Sequence, residues 1–332
     1  MCVFATDTMT LGIAATLSAI GALVVFLSVQ AVPVSRAVRL RNALLLERSR
    51  PEDFTWLPPH IPSDFKVESG EPSSEFRAIV DSLGVRELRR DWDVAIVLAS
   101  HLIERAGDKG PVREDLVRTY RAIQNGYGYC ADFVRVFLAL AHAAGLQARQ
   151  WGFSFDNFGG HGHTFVEVFD RQMQRWLLLD VFNNFHVVDA TTGEPLGALE
   201  YRESLLGRRA AAVMLPNGPG RPGFVHGHKA LDYYRRGIHQ WYLLWGNAVP
   251  SYYMHPAVKI TAVFSGTLAN LAANVVGVQP RIRIYETPEN IFQVRRMFAL
   301  QRRLRWTGIL LAALVVTLGV QLALTQSGHS SA

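Results

Sequence analysis

The chain has 332 residues, with 34 lysines and arginines against 28 aspartates and glutamates, a formal net charge of +6 and two cysteines. That length holds one large or two small domains with a full core, and two cysteines exclude a disulfide framework. The positive balance does not mark a nucleic-acid binder, because the arginines crowd beside two apolar blocks instead of covering a domain face.

The first block, Leu11 to Val32, is 22 residues without a charge. At about 1.5 Å rise per residue it reaches across a hydrocarbon core of roughly 30 Å. A signal peptide would need a basic start, but residues 1–10 carry only Asp7 as a charge, and no Ala-x-Ala-type cleavage site follows. Segment 11–32 is therefore assigned as a transmembrane helix. Residues 33–89 read as a juxtamembrane basic segment and linker: Ala37 to Arg50 suits a short basic amphipathic helix, and 51–74 is rich in proline, serine and acids. Helical periodicity then appears over Asp91 to Ala106 and, more weakly, over Val112 to Gln124.

Asn125 to Tyr129 (NGYGY) is a turn, and an apolar helix opens at Cys130 and runs to Ala144, with Gly145 as its stop. A cysteine at a helix start is favoured as thiolate by the free amides and dipole there, and thiolate is the nucleophilic form. Gln147 to Phe155, His163 to Phe169 and Gln174 to Phe182 read as strands, with a glycine-rich loop over 156–162. A four-residue turn, Asp170 to Met173, would pair Phe169 with Gln174, and the same register sets His163 opposite Asp180. Directly opposed residues have Cβ atoms about 4.5–5.5 Å apart, close enough for a carboxylate to fix an imidazole tautomer. Cysteine, base and orienting acid then follow in chain order, as a thiol acyl-transfer site requires.

The strings GYCADF, AAGLQAR, GHTFVEVF and WLLLD resemble the transglutaminase-like superfamily of papain-fold cysteine enzymes, as a membrane-anchored bacterial-type member, over roughly residues 90–185. The resemblance implies an α+β, papain-like core, a nucleophile-bearing helix packed on an antiparallel sheet, here flanked by two transmembrane helices. It makes Cys130 the nucleophile, His163 the general base and acid, and Asp180 the orienting carboxylate, within a catalytic domain spanning 90–200. Asp180-Val181-Phe182 stands where the family commonly has Asp-Pro-Thr, and Phe165 where it has Trp. Gln124 lies at the papain-like spacing, six residues before Cys130, for an oxyanion-hole donor. An exposed helix-end glutamine is the competing reading. His161, two residues before His163, is the alternative base.

Residues 201–306 are assigned as a mainly helical, aromatic-rich extension. Lys229 to Gly246 is read as one helix carrying Tyr233, Tyr234, Trp241, Tyr242 and Trp245, an aromatic stripe suited to packing, to a sugar or to a membrane interface. Ile260 to Val278 has no charge, but its Ser265, Gly266, Thr267, Asn270 and Asn274 suit a buried or membrane-grazing helix better than a span. Thr287-Pro288-Glu289 resembles a helix N-cap with proline in the first turn, leading through the arginines at 295–305 into a second transmembrane helix, 307–325. The pairs His161/His163 and His226/His228 lack cysteine partners for zinc, and no acidic loop suits calcium, so neither metal nor cofactor is expected.

Arg36, Arg39, Arg41, Arg48 and Arg50 follow the first span, and Arg295, Arg296, Arg302, Arg303 and Arg305 precede the second. Positive-inside bias then places 33–306 in the cytoplasm and both termini outside, in the inner membrane, with the basic flanks against anionic lipid. Cys2 is read as incidental and Cys130 as a free thiol. The expected activity is acyl transfer or amide hydrolysis through a thioester, the donor being an amide or ester of protein, peptide or amino-sugar type. The alternative is an inactive scaffold with membrane-protein partners, for envelope or polysaccharide production.

Overall fold

The computed structural model describes residues 2–329 apart from 33, 59, 106, 108, 113, 225, 264 and 265, and leaves out the side chains of 2–9, 266–268, 270, 271 and 327–329. Ala106, Ser265 and the side chains of Cys2, Thr267 and Asn270 lie outside the described residues.

Among the described residues eight strands form one sheet: β1 (Leu46–Glu47), β2 (Ala148–Ser154), β3 (Gly162–Asp170), β4 (Arg175–Asp180), β5 (Phe185–Asp189), β6 (Ala212–Pro216), β7 (Trp241–Trp245) and β8 (Arg281–Ile284). Their order is β1-β8-β7-β2-β3-β4-β5-β6, antiparallel except for the parallel β1–β8 pair. Side-chain alternation sorts two cores onto the two faces. Val166, Val168, Leu177 and Leu179 meet the helices Ser74–Ser82, Asp91–Ile103, Leu116–Gln124 and Cys130–Ala143. Phe165, Leu178, Trp151 and Phe153 join Trp241, Leu243, Trp245, Tyr201 and Tyr234 on the other side. This is the expected α+β architecture. Helix starts are set by side chains, Ser73 accepting from the Phe76 amide and Asp115 from the Arg118 amide. The Cys130–Ala143 helix stops at Gly145, whose φ is 74°.

The structure corrects several expectations. The β3–β4 register is displaced by two residues: Phe169 faces Trp176 and Asp170 faces Arg175. Gln174 adopts φ 53° and closes the turn instead of opening the strand, while Asp170 Oδ1 accepts from the Met173 amide. The expected helix from Lys229 to Gly246 is a helix, Gly227–Arg236, followed by β7, where Trp241, Leu243 and Trp245 are buried and Tyr242 and Leu244 less so. The region 201–306 thus supplies β6, β7 and β8 as well as helices. Ile260 to Val278 divides between Pro256–Ala262 and Gly266–Val275, which pack through Val258, Ala269 and Ala273. The basic amphipathic helix lies at Val34–Leu45, ahead of β1, and the linker also folds a helix at Ser74–Ser82. Thr287 does not cap with its hydroxyl. Asn290 Oδ1 accepts from the Thr287 amide, and the last helix begins at Ile291.

Among the described residues two helices, at the N- and C-terminal ends, contain segments long and apolar enough to cross a membrane, Thr10–Ala31 and Ile291–Gln326. They contact one another, and Val34–Leu45 contacts both helices.

Candidate active site

Cys130 is the first residue of its helix and half-buried. The turn before it needs Gly128, which has φ 110° and so little room that a Cβ would sit 3.1 Å from Ile123 and 3.2 Å from Phe133. Asp132 locks the turn: its Oδ2 accepts from the Tyr129 amide at 2.9 Å and the Val112 amide at 3.1 Å. The thiol is thereby fixed where helix amides point outward.

His163 lies near the start of β3, buried, with Nε2 at 2.7 Å from Asp180 Oδ2. The pair meets despite the shifted register. A slip of two residues keeps every side chain on its own face, so His163 and Asp180 become diagonal instead of opposite neighbours. Asp180 is itself held by the Asn183 amide at 3.0 Å, by Asn183 Nδ2 at 2.8 Å and by the Tyr234 hydroxyl at 3.1 Å. Phe153, Phe182, Phe224 and Tyr234 surround the imidazole with ring centroids 5.8–6.5 Å away. Burial by itself pushes the imidazole down. The charge and hydrogen bond of Asp180, joined by those of Cys130, outweigh it and raise His163 to about 10. The carboxylate occupies Nε2, so buried Nδ1, which has no nitrogen or oxygen partner among the described residues, is the ring nitrogen left to Cys130.

Cys130 and His163 line one cleft of about 430 Å³ with Val38, Arg41, Tyr242 and Tyr253 among its walls. The loop leading into His163 is seated on the Val34–Leu45 helix. Ser35 and Arg39 bond Asp156, Asn42 Nδ2 donates to the Phe158 carbonyl at 2.8 Å, and a Cβ on Gly160 would stand 3.0 Å from Ser35 Cα. That approach accounts for the loop's glycines.

The other candidates fall elsewhere. His161 is exposed, with Nδ1 at 3.2 Å from Asp156 and its ring stacked on Phe155. Gln124 closes its helix half-buried, with Nε2 buried and without a hydrogen-bond partner among the described residues, which departs from an exposed helix end. His226 and His228 are exposed and stack on one another. Among the described residues no group of three His, Cys, Asp or Glu is placed to hold a metal. Sequence reasoning missed Asn183 and Tyr234. The first sits three residues after Asp180, a legible Asx-type spacing, whereas nothing local marks the second.

Residues 94–181 match the family model described as the transglutaminase-like superfamily. That segment belongs to the superfamily. No curated protein and no solved structure matches the chain significantly. The transglutaminase-like segment contains Cys130, His163 and Asp180. Tyr234 and the cleft walls Val38, Arg41, Tyr242 and Tyr253 come from outside it.

Proposed function

We propose that the protein is a membrane-anchored cysteine acyltransferase or amide hydrolase that works through a thioester on Cys130. The observation that carries this reading is one cleft shared by a helix-start cysteine and a buried histidine whose far nitrogen is held by a buried carboxylate. With Asp180 on Nε2, Nδ1 is the nitrogen that serves the thiol. Cys130 Sγ bonds to the carbonyl carbon of an amide or ester, giving a tetrahedral oxyanion. Collapse breaks the C–N or C–O bond, and the leaving amine or alkoxide takes the proton held by His163. An amine or water, deprotonated by His163, then attacks the thioester and expels the thiolate. The Cys130 amide at the helix start is the donor placed for the oxyanion, whereas Gln124 does not line the cleft.

The arginines at 36–50 and 295–305 flank the inner ends of both apolar helices, which favours a cytoplasmic catalytic domain. The test is alkylation of Cys130 in detergent-purified protein, followed by peptide mass across pH. Rapid reaction below pH ~7 that is lost in His163→Ala is expected of an activated nucleophile. Reactivity like that of a free thiol near pH ~8.5, indifferent to His163, would favour the non-catalytic scaffold instead.

A further inference from the structure

The cleft at Cys130 has two unusual walls. One is the Val34–Leu45 helix, contributing Val38, Arg41 and Leu45 and following closely on the apolar segment Thr10–Ala31. The other carries Val249, Tyr252 and Tyr253, just ahead of the helical pair Pro256–Ala262 and Gly266–Val275. That pair buries only small contacts between its helices and turns apolar side chains outward: Val263 is 82% exposed, Val275 80% and Ile260 63%. A soluble surface rarely shows so many large apolar side chains on so short a stretch. A bilayer surface accommodates them. Both walls therefore lead away from Cys130 into apolar surface.

Inside the cleft stands a cation without a counter-charge. Arg135 is neutralised by Asp132 and also bonds the Tyr253 hydroxyl. Arg41 has no ion pair among the described residues; its Nε and Nη2 reach only the neighbouring Asn42 Oδ1, at 3.2 and 2.9 Å. Burial depresses its pKa, opposed by Tyr242 and Tyr252 and reinforced by the Arg135 charge. A guanidinium stays protonated regardless, so this half-buried side chain brings into the cleft a positive charge that no carboxylate among the described residues balances. An anionic ligand offsets it, and a planar fork suits carboxylate or phosphate oxygens. The remaining lining is largely apolar, with Leu45, Phe153, Leu244, Val249 and Ile282.

We propose that the acyl donor is an anionic amphiphile taken from the membrane surface, its phosphate or carboxylate against Arg41, its apolar part along Val38, Leu45, Val249 and Ile282, and its ester or amide carbonyl at Cys130. This rests on the thioester reading given above and names the class of donor for it. Hydrolysis or transfer then proceeds with the same bond changes, the leaving group being the de-acylated amphiphile.

The experiment is protection of Cys130 from iodoacetamide, with the full-length protein in uncharged-detergent micelles and the rate read by peptide mass. The additions are dioleoyl phosphatidylglycerol, dioleoyl phosphatidylcholine or inorganic phosphate. Phosphatidylglycerol slows alkylation at least about five-fold, as expected once a ligand exceeds its dissociation constant a few times, and the other two do not. Relative to each variant's own lipid-free rate, Arg41→Gln loses this protection, Arg41→Lys keeps part of it and Arg36→Gln keeps it all. Equal protection by phosphatidylcholine would remove the role of charge and overturn the proposal. Protection by inorganic phosphate alone would replace the membrane source with a soluble anion. Equal loss in Arg36→Gln and Arg41→Gln would reduce the effect to general attraction by the basic flank, again overturning it. The comparison among additions needs no variant, so a poorly folded mutant does not block it. Slow alkylation without lipid, unchanged in His163→Ala, would sink the catalytic reading; fast alkylation indifferent to lipid would sink only the donor.

Discussion

His163 shows how two neighbours set the charge of a buried side chain. Its imidazole is buried beside Asp180, and the upward pull of Asp180 and Cys130 exceeds the downward pull of burial, giving a pKa of about 10 against 6.5 for a free histidine. Asp180→Asn removes the larger upward contribution and leaves burial opposed by Cys130 alone, so the His163 titration moves down from about 10, observable by NMR of the ring protons. Nucleophile reactivity falls with it, by a factor on the order of 10²–10⁴, because an amide in place of the carboxylate favours the wrong tautomer. The same shift links to stability. A folded pKa raised above the unfolded value means that folding binds a proton, so the stabilisation is complete below about pH 6.5 and is lost as pH rises through about 10. Wild-type melting temperature therefore declines between pH 7 and 10 through this group, and the His163 contribution to that decline shrinks in Asp180→Asn. Scanning calorimetry at several pH values on both proteins checks this.

At the scale of elements, the β2–β3 ladder beneath His163 is tied by a buried ion pair. Glu167 Oε2 accepts from Arg149 Nε at 2.8 Å, Oε1 accepts from the Ala198 amide at 2.7 Å, and the Arg149 guanidinium lies 4.3 Å from the Trp176 ring centroid. Glu167→Gln strands a buried cation and costs about 3–5 kcal/mol, while the double change Arg149→Met with Glu167→Leu removes that cation but leaves the Ala198 amide and Trp151 Nε1 without their acceptor, so it recovers only part. Urea unfolding of the single and double variants measures both. Much of this layer was legible. Cys130, the apolar helix and the alternating strands write their periods locally, and the His163–Asp180 pairing survived a two-residue error in register because such an error preserves the face. The departures have local causes too. Gln174 bends at a positive φ that only Gly, Asn or Asp would have announced, and the bulky Trp241, Tyr242 and Trp245 disguised a period of two as a helical stripe. Tyr234 and Arg41 reach the site from 54 residues after Asp180 and 89 residues before Cys130, so no window of sequence could join them to it.

Over the whole molecule, the two ends of the chain converge on one sheet edge. β1 follows the Val34–Leu45 helix and pairs in parallel with β8, which leads into the last helix. Ala43, Leu45, Leu46, Phe158, Ile282, Ile284, Val294 and Met297 close that edge as a separate core. Both membrane-length helices are thus attached to the sheet that carries the site, and Phe158 brings the loop before His163 into the same cluster. This predicts an asymmetry between two truncations. Deletion of residues 1–32 removes apolar helix but leaves the edge core and Arg41 in place. Cys130 alkylation in detergent should stay within about two-fold of full length, since the packed groups around it are untouched. Deletion of residues 1–47 also strips Leu45 and Leu46, each about 1.5–3 kcal/mol of burial, and uncovers Phe158 and the cleft. Melting temperature should fall sharply in the longer deletion, and the His163-dependent acceleration of Cys130 should go with it. If both deletions keep that acceleration, the Val34–Leu45 helix is only a connector, and the transglutaminase-like segment builds its own site without it.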